Sequence, residues 1–176
     1  MRKLSMDELN RVSAEEFKSQ KKNNIVVVLD NIRSLNNVGS AFRTGDAFAI
    51  EKVVLCGITG KPPHRDIHKT ALGAQDTVTW EHFDDTVEAI KSLKEEGYKI
   101  IAVEQVEGST SLQDFQTTAE EKVALIFGNE VMGVSQEAIE ASDIALEIPQ
   151  FGTKHSLNVS VTLGVVLWQV LQQKLS

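Results

Sequence analysis

A single cysteine, Cys56, is present among 176 residues. That excludes a disulfide framework and a cysteine-rich metal site. Its expected place is the end of a strand, as a small buried hydrophobe. The four histidines show no metal-ligand spacing with it, so no metal is expected. No apolar run approaches the length of a membrane span. The opening MRKLSMDELNRVSAEEFKSQKK lacks the apolar core of a secretory signal, and a cytoplasmic protein is expected. No G-x-G-x-x-G follows the first candidate strand, which disfavours a nicotinamide-dependent oxidoreductase, and no Walker motif occurs.

What is present is an ordinary globular composition: 41% hydrophobic and 24% charged. The length suits one domain with one sizeable core. The net charge of −7 taken alone argues against nucleic acid. Its distribution does not. Residues 1–75 carry 12 Lys and Arg against 8 acids, and residues 76–147 carry 4 against 17. Residues 148–176 contain Lys154 and Lys174 and no acid. Two mildly basic ends flank an acidic middle and would form a basic face if they met.

The pattern predicts an N-terminal helical extension over 1–24, with a helix over 7–22 capped by Asp7 or Ser5, in which Leu9, Val12 and Phe17 lie among charged residues. A domain over 25–176 follows. IVVVLD (25–30) is a β-branched run suited to a strand buried on both faces. A helix is expected from Asn37 to Ile50, then strands at 52–57 and 77–80. A helix over 84–96 ends before Gly97. Strands at 99–104 and 122–128, a helix over 134–141 and a strand at 143–149 complete the alternation. Strands alternating with helices give an α/β fold, with a mainly parallel sheet and helices on both faces. SLNVSVTLGVVLWQVLQQ (156–173) is ambiguous. Its first half alternates like a strand, while Leu157, Val161, Val165 and Trp168 share a helical face. Val161, Val165, Trp168 and Leu171 offer more apolar surface than one helix buries on a sheet, which suggests an interface.

Three segments at strand ends carry the candidate chemistry, because ligands of α/β sheets bind beyond the carboxyl ends of strands. In NIRSLNNVGSAFRTGDA (31–47), Arg43 is either an anion-recognising group near a helix N-terminus or a local partner of Asp46. In IFGNEVMGVS (126–135), Glu130 is a costly carboxylate unless paired or solvated, or else it faces a helix dipole. In IPQFGTKHSLNVSV (148–161), Ser156 and Asn158 open an apolar stretch, and Ser156 would also serve as a helix cap. KPPHRDIHKTALGA (61–74), with Lys61, Arg65 and Lys69, is either a solvated loop or a stretch that tracks RNA phosphates.

Together, Asn37, Gly39, Arg43 and Thr44, then Gly128–Glu130, then Ile148 through Ser160 resemble the SpoU/TrmH family of the SPOUT superfamily. The likeness spans about 25–173 without the additional RNA-binding domain of some relatives. It implies an S-adenosyl-L-methionine-dependent transfer of methyl to a ribose 2′-hydroxyl of tRNA or rRNA, with compact members often acting on tRNA. It also implies a C-terminal deep trefoil knot, a helix after Ser156 and a homodimer with its active site at the interface. Val103, Glu104, Gly128, Asn129, Gly133, Ile148 and Leu157 would then hold the cofactor. Arg43 would act at the 2′-hydroxyl, with Asn37, Glu130, Ser156 and Asn158 around it. The family assigns Arg43 as a base assisted by substrate phosphate. Its high pKa makes phosphate holding and alkoxide stabilisation an equally sound role. Relatives commonly have Gly at position 131, where this chain has Val131, so a left-handed turn there would strain it. A knotted dimer that binds RNA or cofactor without catalysis is the rival reading. The intact Arg43, Asn37, Glu130, Ser156 and Asn158 speak against it.

Overall fold

The fold was analysed in a computed structural model, which describes residues 1–175. Its centre is β1 (Asn23–Asp30), buried from Ile25 onward, as its unbroken apolar run requires. β2 (Ile50–Cys56) and β3 (Trp80–Phe83) lie on one side of it. On the other side follow β6 (Val123–Phe127), β4 (Lys99–Val103), β7 (Ile144–Glu147) and the two-residue β5 (Thr110–Ser111). All six pairings are parallel.

Side chains alternate across β1. Ile25, Val27 and Leu29 face α1 (Ala14–Ser19), α2 (Leu35–Ala47), α3 (Arg65–Ala71) and α6 (Val159–Lys174). Val26 and Val28 face α4 (Thr86–Glu95) and α5 (Gln136–Ala141). Helices therefore cover both faces, as the alternation predicted. Cys56 is fully buried at its strand end, and burial pushes its thiol up to about 12. Among the described residues, no helix is long and apolar enough to cross a membrane.

Several boundaries differ from the sequence expectation. The helix expected over 7–22 is only Ala14–Ser19, preceded by a 3-10 turn at Asp7–Leu9. Its cap is neither Asp7 nor Ser5 but Ser13, in a reciprocal box with Glu16. Of Leu9, Val12 and Phe17, only Phe17 is buried. α2 starts at Leu35, capped by Ser34, and stops at Ala47, because Ile50 already opens β2. The third strand begins at Trp80, so Thr77 and Val78 lie in the preceding turn. The Pro-rich 61–74 stretch contains α3, not only loop.

The C-terminal ambiguity resolves as a helix. Asn158 caps it, its Oδ1 accepting from Ser160 N at 2.9 Å and Val161 N at 3.4 Å, so Ser156 is not the cap. Leu163, Val166, Leu167 and Val170 turn to the sheet. Val161, Val165 and Trp168 turn outward, whereas Leu171 is buried.

Two close approaches explain motif residues. A Cβ on Gly39 would collide with Thr70 Oγ1 and the Ile67 carbonyl of α3. Gly39 thus permits the α2–α3 crossing rather than touching a ligand. Asp30, 1% exposed, accepts from Thr86 Oγ1 (2.6 Å), Asn31 Nδ2 (3.0 Å), and Ser135 N and Oγ (2.8 Å each). This satisfies a buried carboxylate that would otherwise be costly.

Gly39→Ala should lower the unfolding midpoint by several degrees, since overpacking against backbone costs ~1–3 kcal/mol. Thermal unfolding followed by circular dichroism measures this. An unchanged midpoint would mean that α3 shifts freely.

Candidate functional site at the carboxyl ends of the strands

Beyond the ends of β4, β6 and β7 lies a cavity of about 460 Å³. Its walls are Val103 to Gln105, Phe127 to Gly133, Leu146 to Ile148 with Gln150, and the entry to α6 from His155 to Val159 with Thr162. The parallel sheet makes this possible, because every strand delivers its carboxyl end to one edge. The order of strand addition also reverses between β1 and β6, where open α/β sheets leave a crevice.

The loop after β6 is closed on itself. Asn129 and Gly133 exchange N–H···O bonds of 2.9 Å, and Asn129 Oδ1 accepts from Val131 N (2.9 Å) and Met132 N (3.0 Å). The left-handed residue of this turn is Gly133, at φ 72, while Val131 is not left-handed. The strain anticipated at Val131 is therefore absent, and its side chain is exposed. Gly128 has no room for a Cβ, which would meet the backbone of Gly133 and Val134. Glu104 braces the far side, accepting from Gln105 N (2.9 Å) and Val134 N (3.0 Å).

Glu130 joins this loop to α2. Its carboxylate accepts from Arg33 N (2.9 Å), Ser34 N (2.9 Å) and Asn37 Nδ2 (3.0 Å). Burial pushes its pKa up, but the N–H donors outweigh it and hold the group below the ordinary glutamate value of 4.5. Asn129 adds a second tie, donating from Nδ2 to Asn31 O at 2.7 Å.

All seven residues expected around a cofactor line this one cavity: Val103, Glu104, Gly128, Asn129, Gly133, Ile148 and Leu157. Glu130, Ser156 and Asn158 line it too, and Asn37 adjoins it through Glu130. Arg43 does not line it. Arg43 is exposed on α2, and among the described residues its side chain has no hydrogen bond or ion pair. The local pairing with Asp46 does not form, because Asp46 accepts from Thr77 Oγ1 at 2.6 Å. Lys61 and Arg65 are exposed, whereas Lys69 pairs with Asp66 at 2.7 Å across one turn of α3. Sequence reasoning missed Phe127, Leu146, Glu147 and Thr162 as lining residues. Phe127 and Leu146 were findable as the last inward positions of their strands; Thr162 needed the helical assignment of α6.

An open parallel α/β sheet with a part-apolar, part-acidic cavity at its strand ends is the ligand-site architecture of α/β enzymes. The chain belongs to the SpoU rRNA methylase family, whose model matches residues 24–168. It is 31% identical over 168 residues to the tRNA (guanosine(18)-2′-O)-methyltransferase of Thermus thermophilus, covering 96% of this chain and 84% of that protein. It is 30% identical over 150 residues to the 23S rRNA (guanosine-2′-O-)-methyltransferase RlmB of Neisseria meningitidis, covering 85% and 59%. Its fold is similar to the A. aeolicus TrmH/SpoU tRNA modifying enzyme, with a TM-score of 0.80, 28% identity, and 91% and 80% of the two chains covered. It is also similar to an AdoMet-bound rRNA methyltransferase from Sinorhizobium meliloti, with a TM-score of 0.81, 25% identity, and 89% and 59% covered.

The Glu130 tie sets an acid limit. A carboxylate held low in the fold contributes stability above its unfolded value, and that contribution is lost as pH falls through the folded one. Glu130→Gln should therefore show a shallower loss of stability than the native chain as pH drops below about 4.5, in melts across a pH series. Identical acid limbs would mean that Glu130 holds the two segments no better than an amide does.

Proposed function

We infer that this chain is an S-adenosylmethionine-dependent RNA methyltransferase acting on a ribose 2′-hydroxyl. The observation that carries this reading is the arrival of the family's second and third motif segments at one cavity, with the first tied to it through Glu130. The relatives act, by name, on guanosines of tRNA or 23S rRNA, and an RNA of these classes is the proposed substrate.

The cavity residues fit such a cofactor. The volume lies within the ~300–1,000 Å³ of ordinary ligand sites. Phe127, Leu146, Ile148 and Leu157 offer apolar wall to an aromatic ring, and Glu104 and Glu147 suit a cationic ligand. Val103, Glu104, Gly128, Asn129, Gly133, Ile148 and Leu157 would hold it. When bound, S-adenosylmethionine supplies a methyl group already activated on a sulfonium.

The chain's own residues then have to orient the 2′-hydroxyl and accommodate charge on its oxygen. Arg43 is assigned that task. A guanidinium keeps its proton at neutral pH, so it stabilises the developing negative oxygen and holds a neighbouring phosphate. Asn37 and Glu130 act as positioning residues, since their polar atoms already hold each other and the start of α2. Ser156 remains available to substrate at the cavity wall, while Asn158 fixes the start of α6. Lys61 and Arg65 extend the RNA-facing surface beside α2.

Arg43 lies outside the cavity of its own protomer, so the reading includes a homodimer in which it serves the cavity of the partner. The exposed apolar stripe of Val161, Val165 and Trp168 supports such an interface, being 43–52% exposed on a helix whose opposite face is buried. Trp168 stacks near Phe48, at the end of Arg43's own helix, with ring centroids 5.9 Å apart. The deep trefoil knot belongs to the same proposal: β7 re-enters the sheet between β4 and β5, strands laid down earlier. So do a cytoplasmic location and the division into a 1–24 extension and a 25–176 methyltransferase domain.

Methyl transfer from labelled cofactor to RNA from cells lacking this gene, followed by mapping of 2′-O-methylation, tests the activity. Absence of transfer to both tRNA and rRNA would reject it. Arg43→Ala should lower turnover by ~10² or more while leaving cofactor affinity and the dimer unchanged. Arg43→Lys should recover little, because a lysine lacks the planar fork. Loss of cofactor affinity in step with activity would place Arg43 in the cofactor site instead. Sedimentation at micromolar concentration should give a dimer, and Trp168→Asp a folded monomer without activity. A monomeric native chain would remove the shared site.

A further inference from the structure

The loop joining β1 to α2 is held at every residue from Asn31 to Ser34. Asn31 N donates to Cys56 O at 3.3 Å, and Ile32 N to Thr59 Oγ1 at 3.0 Å. Arg33 N and Ser34 N both donate to Glu130 at 2.9 Å. The side chains are engaged as well. Asn31 Oδ1 accepts from Ile58 N at 3.1 Å, Ile32 is buried, and Ser34 Oγ accepts from Asn37 N at 3.2 Å. Arg33 is the exception: its side chain is exposed, and among the described residues its guanidinium has no hydrogen bond or ion pair.

The position of that free guanidinium gives it meaning. Its own backbone amide donates to Glu130, and Glu130 lines the cavity, so the side chain is mounted one hydrogen bond from the cavity wall. The same lining carries three carboxylates, Glu104, Glu130 and Glu147, and among the described residues no Lys or Arg. A polyanion entering there meets repulsion unless a cation stands at the rim. Chemistry makes that meeting unavoidable. In an RNA chain the carbon that bears each internal 2′-hydroxyl adjoins C3′, whose oxygen carries a phosphodiester, so a site that admits the hydroxyl must also accommodate the phosphate.

On the reading of this cavity as a ribose-methylating site, we propose that Arg33 grips a backbone phosphate adjoining the methylated ribose. Its rigid mounting lowers the entropy cost of the contact, and its fork matches phosphate geometry. Arg33 is thus an RNA-binding residue distinct from Arg43, which acts at the oxygen.

Arg33→Ala and Arg33→Lys test this, with RNA from cells lacking the gene as the probe. Equilibrium binding is measured across a KCl series, and methyl transfer in the steady state. Arg33→Ala should raise KM for RNA about tenfold, leave kcat and cofactor affinity near native, and reduce the salt slope by about one. Arg33→Lys should keep the slope while recovering only part of KM, because the charge remains and the fork is lost. Native KM and slope in Arg33→Ala would overturn the proposal. So would a joint loss of cofactor affinity and thermal stability, which would make Arg33 a support of the loop. If the native chain transfers no methyl group, the proposed reaction fails, while the salt slope, read from binding alone, still decides Arg33.

Discussion

Two carboxylates at the strand ends, Asp30 and Glu130, organise everything built above the sheet. Asp30 ends β1 and gathers Thr86 from the start of α4 and Ser135 from the start of α5. Glu130 stands in the loop after β6 and gathers the loop before α2. Each turns the electrostatic demand of an anion into contacts between segments far apart in sequence. A parallel sheet delivers its strand ends to one edge but leaves the connecting loops free to diverge. These two groups converge them. The cavity is a consequence, because Gly133 and Val134 are trapped between the Asp30–Ser135 contacts on one side and Glu104 on the other.

The turn after β6 shows how a sequence departure can be harmless. The family resemblance implies glycine at position 131, where this chain has Val131, and a branched residue at positive φ would be strained. The turn instead reverses at Gly133, through an antiparallel bridge to Asn129. Asn129 supplies three of the interactions that close it, one to Asn31 and two to the amides of Val131 and Met132. The conformational burden thus falls on Gly133, and the close approach on Gly128. Position 131 is left with an outward side chain and no steric demand.

Much of the sheet was legible because buried parallel strands are continuous apolar runs, as in residues 25–29 and 123–127. The helix ends were less so. α2 stops before Phe48 because β2 has to begin at Ile50 to pair with Asn23, a tertiary demand with no local signature. α6 was ambiguous for a different reason. It is apolar on nearly every side, so periodicity cannot say which face is inside. The stripe chosen by spacing, with Val161, Val165 and Trp168, is the outward one, and Leu163, Val166, Leu167 and Val170 meet the sheet. α3 is only seven residues long and follows two prolines, too short for a periodic pattern to emerge. The cavity residues were legible by resemblance, since each motif ends a strand. The tie between Glu130 and the backbone of Arg33 and Ser34 was not, because backbone donors leave no mark in a sequence.

The acidic composition now has a structural meaning for an RNA enzyme. Acids concentrated between residues 76 and 147 supply the carboxylates that line the cavity, Glu104, Glu130 and Glu147, where a cationic cofactor would be favoured. The same carboxylates repel the substrate. On the proposed reading, cations for RNA would stand outside the cavity wall, Lys154 in the adjoining recess and the others on the basic N-terminal part of the chain. The guanidinium of Arg33, the guanidinium of Arg43, and Lys61 and Arg65 near α3 all meet that condition. Separating the two charges in sequence and joining them through Glu130 lets one strand-end edge attract opposite partners. On the proposed reading, the carboxylate that would repel phosphate also holds, by its hydrogen bond to Arg33 N, the loop that carries the Arg33 guanidinium.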